Sequence, residues 1–175
     1  MDQEQNHKLG ELIRSIEKGN ISAISEIYMM VGKAMFATAY TYVGNIADAD
    51  DVVQDALVKI VSKASKFYTN KNAIAWINTI VSNIAKNKIG YSRRKKEVSI
   101  DKAKDLYSES NDYSFIIKEI FEILTEKERQ YIIYVFWYEC SLTELAKIFH
   151  RSKSNVDYHF KKIIEKIKKF YNILK

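Results

Sequence analysis

The chain is 175 residues long, with no proline, five glycines, one cysteine and a formal net charge of +6. That length holds one or two domains with a core of ordinary size, and so few breakers point to an all-α fold. The single cysteine, Cys140, excludes an internal disulfide framework and fits a reducing compartment. No amino-terminal apolar run resembles a signal peptide and no apolar stretch is long enough for a bilayer, so a cytoplasmic location is expected.

Leu9, Leu12, Ile13 and Ile16 mark a short amphipathic helix that stops at Gly19-Asn20. A longer helix is predicted over 22–43, with Ile24, Ile27, Tyr28, Val31, Met35 and Ala39 at helical spacing. Gly44-Asn45 ends it, since both residues tolerate the left-handed conformation.

The third predicted helix, 47–67, opens with Asp48, Asp50 and Asp51, which favour the positive end of the helix dipole. Val52, Val53, Ala56, Leu57, Ile60, Val61 and Ala64 supply its buried side. Asp48, Asp51, Gln54 and Asp55 make its outer face acidic at the start, and Lys59, Lys63 and Lys66 make it basic at the end. A solvated face explains this pattern, and so does docking of a basic partner helix. The carboxylates lack the His or the paired spacing of a metal or catalytic site.

Residues 68–71 form a polar connector. Helix four begins near Asn72 and carries Ile74, Trp76, Ile77, Ile80, Val81 and Ile84 on one side. Its other side collects Asn78, Thr79, Ser82, Asn83, Lys86 and Asn87, and it runs into Arg93, Arg94, Lys95 and Lys96. Small amides and hydroxyls beside Lys and Arg are the mixture a nucleic-acid surface needs. The plainer reading is a solvated helix end with cations at its carboxyl terminus.

Helical periodicity fails from about Lys95 to Ser110, which reads as a charged linker between two domains. Tyr113, Ile116, Ile117, Ile120, Phe121 and Leu124 then form a stripe. Thr125-Glu-Lys-Glu128 is a capping box that starts a helix with Tyr131, Ile132, Val135, Phe136 and Tyr138.

Ser141-Leu-Thr-Glu144 is a second capping box, followed by Leu142, Leu145, Ala146 and Phe149 on one face. His150-Arg151-Ser152 makes a corner, and Ser152 or Ser154 caps the last helix. There Val156, Phe160, Ile163, Ile164 and Ile167 point inward, with Lys153, Asn155, Tyr158, His159, Lys161 and Lys162 outward. Two short helices crossing at a small Ala, the second polar and basic, suggest helix-turn-helix DNA binding over a plain helical hairpin. The second domain is thus a four-helix unit ending in this motif.

Charge placement agrees. Residues 86–104 hold eight Lys/Arg against Glu97 and Asp101, and residues 147–175 hold nine against Asp157 and Glu165. The rest of the chain is net acidic, a pattern that suits two separate polyanion contacts better than general stickiness.

Three segments together resemble one family. Residues 48–60, DADDVVQDALVKI, are similar to the core-polymerase-binding helix of bacterial sigma factors. Residues 75–83, AWINTIVSN, followed by Asn87 and Arg93-Arg94, resemble the helix that reads the minus-ten promoter element. Residues 124–129, LTEKER, leading into the helix-turn-helix, resemble the domain that reads the minus-thirty-five element. Their order and the total length match small two-domain alternative sigma factors of the extracytoplasmic-function (ECF) type, in the sigma-70 family.

The resemblance implies domains at 1–94 and 112–175 joined by a linker at 95–111. It places Asp48, Asp51, Gln54, Asp55 and Lys59 against the clamp helices of the largest RNA polymerase subunit. Asn72, Asn83, Lys86, Asn87, Arg93 and Arg94 would meet the melted minus-ten strand. Lys153, Ser154, Asn155, Tyr158, His159 and Lys162 would enter the major groove of duplex DNA. It also implies occlusion by an anti-sigma protein. Where many relatives carry Arg, this chain has Thr79 and Ser82. His150 fills a corner position often held by Gly or Asn, and Thr125 one often held by Pro.

The alternative class is a stand-alone helix-turn-helix regulator whose first domain dimerises or senses a signal. An enzyme is disfavoured, with no Gly-rich phosphate loop, no metal cluster among His7, His150 and His159, and no nucleophile with an evident base. No cofactor or metal is expected.

Overall fold

The computed structural model describes residues 3–68, 72–98 (side chains through Gly90) and 119–171. Among them the regular structure is helical throughout, with no strand. The first unit consists of α1 (Gln3–Glu17), α2 (Ala23–Val43), α3 (Ile46–Lys63), a 3-10 turn (Ala64–Lys66) and α4 (Ala73–Val98). The second comprises α5, described over 119–123, then α6 (Glu126–Phe136), α7 (Leu142–Ile148) and α8 (Lys153–Phe170).

Local chemistry sets most boundaries. Gly44, with φ of 76°, closes α2, and its N–H donates to the Tyr40 carbonyl. Asn45 rather than an aspartate caps α3, its side chain accepting from the Asp48 N–H at 2.9 Å. Both capping boxes form: Thr125 and Glu128 start α6, and Ser141 and Glu144 start α7. Ser152, not Ser154, caps α8. The α4 helix continues to Val98, past Lys95, because Lys, Arg and Glu all propagate helix well after apolar spacing is lost. The linker residues 99–111 and the stripe residues Tyr113, Ile116 and Ile117 lie outside the described residues.

The core of the first unit joins Leu9 and Ile13 of α1, Ile27, Val31 and Met35 of α2, Val52 and Ile60 of α3, and Ile74, Ile77 and Val81 of α4. In the second unit Leu124, Ile133, Leu145, Val156 and Ile163 are buried. The two cores are continuous, because α6 packs on α2.

Three sequence expectations are corrected. Tyr28, counted with the residues at helical spacing in α2, is 52 % exposed, and Phe136, counted among the apolar residues of α6, is 60 % exposed. Instead Tyr131, Ile132, Ile133 and Tyr134 are all buried in succession, since α6 has its own unit on one side and α2 on the other. Asn78, assigned to the polar side of α4 next to Asn83, is buried at the same seam. A one-sided stripe is the signature of a helix with one neighbouring layer, and α6 has two.

Candidate nucleic-acid and polymerase interfaces

Three surfaces carry the sequence-derived candidates. The first is the outer face of α3. Asp51, Gln54, Asp55 and Lys59 are exposed there, and Asp48 is partly so. Val58, absent from the sequence-derived set, stands among them at 70 % exposure. The acidic start of this helix is not open charge. Lys88 of α4 places its Nζ 2.9 Å from Asp48 Oδ1 and 2.8 Å from Asp51 Oδ2. Asp48 also accepts from the Asn45 amide at 2.7 Å. That Asn45 hydrogen bond, then the one from Lys88, hold its carboxyl below the usual range. Burial presses the Lys88 ammonium toward its neutral form, but Asp51 and Asp48 together leave its pKa raised.

The second surface is the polar side of α4, and here the candidates divide. Asn83, Lys86 and Asn87 are exposed at i, i+3 and i+4, forming one short strip. Asn72 serves the helix itself, its side chain accepting from the Ala75 N–H at 2.8 Å. Thr79 turns its hydroxyl back to the Ala75 carbonyl at 2.7 Å. Arg93 and Arg94 belong to the last turns of α4, with side chains outside the described residues.

Lys86 is engaged by the other unit. Its Nζ lies 2.9 Å from Glu126 Oε1 at the start of α6 and 5.2 Å from the centre of the Tyr42 ring. The Glu126 hydrogen bond raises the Lys86 pKa, and reciprocally Lys86 lowers that of Glu126.

The third surface is α8. Lys153, Ser154, Asn155, Tyr158, His159 and Lys162 are all exposed along it. The corner that aims this helix is a Schellman turn. His150 adopts φ of 52°, its N–H donates to the Lys147 carbonyl, and the Arg151 N–H donates to the Ala146 carbonyl. His is among the non-glycine residues that enter this region most readily. Tyr131 stacks on Phe149 at 4.8 Å and meets the His159 ring edge-on at 6.3 Å, tying α8 to α6. Lys162 is paired with Glu165 at 3.4 Å and lies over Tyr158.

Sequence reasoning missed the polar seam between the units. Thr38 Oγ1 donates to Asn78 Oδ1 at 2.7 Å, and Asn78 Nδ2 donates to Gln130 Oε1 at 2.9 Å. Tyr42 donates to Glu126 at 2.9 Å, and Arg129 Nη1 donates to the Thr41 carbonyl at 2.8 Å. Two signals pointed to it: the uninterrupted apolar run 131–134, and the small residues Ala34, Ala37, Thr38 and Thr41 that give α2 a second buried face.

Among the described residues no group of three or more His, Cys, Asp or Glu is placed to hold a metal. None of their helices is long and apolar enough to cross a membrane.

The family description "Sigma-70 region 2" matches residues 27–96, which run from α2 through α4. The ECF RNA polymerase sigma factor SigW of Bacillus subtilis (strain 168) is 23 % identical over 158 residues, covering 79 % of this chain and 83 % of that protein. Residues 27–96 thus match sigma-70 region 2, and most of the chain is similar to an ECF sigma factor.

Two solved structures share its fold. CnrH, in complex with the cytosolic domain of CnrY, superposes with a TM-score of 0.67 at 18 % identity, over 95 % of this chain and 98 % of that one. RpoE of Bartonella quintana, in complex with the anti-sigma factor NepR, gives 0.63 at 20 % identity, over 86 % and 98 %. The stretch that matches region 2 contains both the α3 and the α4 surfaces, and α7 and α8 follow it in the chain.

Proposed function

We propose that this chain is an alternative sigma factor that binds RNA polymerase core and directs promoter-specific initiation of transcription. The observation that carries this reading is the order of parts: a region 2 spanning α2 to α4, followed by a helix-turn-helix with an exposed basic second helix. In this reading Asp48, Asp51, Gln54, Asp55 and Lys59 face the polymerase clamp helices, with Val58 as an apolar centre. Asn72, Asn83, Lys86, Asn87, Arg93 and Arg94 serve the melted minus-ten strand, where amides read base edges and cations hold phosphate. Lys153, Ser154, Asn155, Tyr158, His159 and Lys162 serve the minus-thirty-five duplex. Residues 1–94 and 112–175 act as the two DNA-reading domains, and the protein works in the cytoplasm without catalytic chemistry of its own. An anti-sigma partner is part of this reading, since both CnrH and RpoE are in complex with another protein, for RpoE the anti-sigma factor NepR.

The test is run-off transcription with added core polymerase on genomic fragments, followed by start-site mapping. The expected result is initiation from a defined promoter only when this chain is present. Tight binding to symmetric duplex sites together with no affinity for core would overturn the reading in favour of a stand-alone regulator.

A further inference from the structure

α1 lies ahead of the stretch that matches region 2, yet it reaches the start of α4, where the minus-ten candidates begin. Asn6, in the first turns of α1, sends its side chain to that start, and its Oδ1 accepts from the Ile74 N–H at 3.2 Å. Gly10, one turn further along α1, backs the ring of Phe67, where a Cβ would sit 3.5 Å from the ring. Phe67 in turn meets Trp76 of α4 edge-on at 5.3 Å. Leu9 and Ile13 fix the same helix in the core, both fully buried. Asn6 is therefore presented to α4 from a well-anchored element.

The first amides of any helix have no partner within it. Asn72 stands just before those of α4, and its own carbonyl accepts from the Trp76 N–H at 3.0 Å. A side chain in that position can accept from the second or the third helical amide, here Ile74 or Ala75. Asn72 takes Ala75, at 2.8 Å. Ile74 is already held by Asn6. One amide proton makes one good hydrogen bond, so the Asn6 contact removes the alternative and leaves Asn72 a single seat. That seat also decides which end of the Asn72 amide is which. A backbone N–H needs the oxygen, so Oδ1 turns to the helix and the two donors of Nδ2 form the other end.

From this arrangement we infer that Asn6 is a positioning residue for the minus-ten contact: by occupying the Ile74 N–H it holds Asn72 in one orientation, with its donor end available to an acceptor on an unpaired base. A side chain ordered before binding loses less freedom on binding, and an amide with one orientation discriminates better than one with two. The consequence for base preference rests on the sigma reading of α4, but the orientation of Asn72 does not.

Two measurements on the full chain test this. Scalar couplings across the Asn72 Cα–Cβ bond report its rotamer. The starting protein should show one rotamer and Asn6→Ala an average of two, with helix content unchanged. Asn6→Asp, whose carboxylate accepts the same hydrogen bond, should restore one. The second measurement is run-off transcription with core polymerase on a mapped promoter, each minus-ten base being changed in turn. Asn72→Ala identifies the position it reads as the one whose preference collapses. Asn6→Ala should lower the preference at that position about two- to tenfold, the worth of ordering one side chain, and leave the other positions unchanged. Asn6→Asp should recover it. Averaged couplings in the starting protein, or a single rotamer kept in Asn6→Ala, overturn the orienting role. A uniform loss of initiation at every position, an unchanged preference, or an Asn72→Ala variant with no position-specific loss reduces Asn6 to a helix cap and overturns the inference. No initiation by the starting protein overturns the sigma reading and the minus-ten consequence together, while the couplings still judge the orientation of Asn72.

Discussion

Lys88 and Asp48 stand 2.9 Å apart across the α3–α4 contact, so the acidic face of α3 is partly neutralised by its own chain. The same ammonium reaches Asp51. Lys88→Ala should therefore increase the negative potential of α3. Association with polymerase core should become faster and more salt-dependent, because complementary charge acts chiefly on encounter. Stopped-flow association across a salt series checks this. A rate unchanged at low salt would separate these carboxylates from the interface.

Asp55 takes no part in the Lys88 cluster. Asp55→Arg should weaken core binding about tenfold or more, ~1.4 kcal/mol, with the melting temperature unchanged. Asp51→Arg should lose binding and also some stability, since it places a cation beside Lys88. Competition binding to core and calorimetry of the free chain separate the two effects.

His150→Gly should stabilise the corner before α8 by about 1 kcal/mol, since glycine takes a positive φ without the penalty of a Cβ. Ser141→Ala and Ser152→Ala should each cost about 1 kcal/mol by removing a helix cap. Urea unfolding resolves changes of this size.

Asp48 titrates below the usual carboxylate range, first because of Asn45 and then because of Lys88. A lowered folded-state value means its stabilisation is full above the ordinary carboxylate pKa and is lost as pH falls through the lowered one. Stability measured downward from pH 6 should therefore fall more steeply in the starting protein than in Asp48→Asn. Equal slopes would show that the pairing contributes nothing to folding.

Burial pushes the Cys140 thiol up to about 12. It should resist alkylation near neutral pH in the folded protein and react promptly in denaturant, since the thiolate is the reactive form. Mass spectrometry after a timed iodoacetamide pulse reads this directly.

The candidate site was legible where chemistry repeats at short range. Exposure of Lys153, Asn155, Tyr158 and His159 follows from the apolar spacing of Val156, Phe160 and Ile163, and the structure agrees. Asn78 and Lys86 were grouped with Asn83 because all lie on the polar side of α4. Only the packing of α6 distinguishes them: Asn78 is enclosed, Lys86 is held by Glu126, and Asn83 is left in solvent.

By itself the sequence determined the helices, their caps, the corner at His150 and the order of the family's motifs. Each of these depends on residues within a few positions of one another, where hydrogen-bond reach and helical periodicity decide. Tertiary structure alone decided that α6 is buried on two sides, that Lys88 neutralises the start of α3, and that Glu126 holds Lys86. Those contacts join residues 37 to 52 positions apart or more, and no local pattern encodes which of several exposed cations a distant carboxylate will meet.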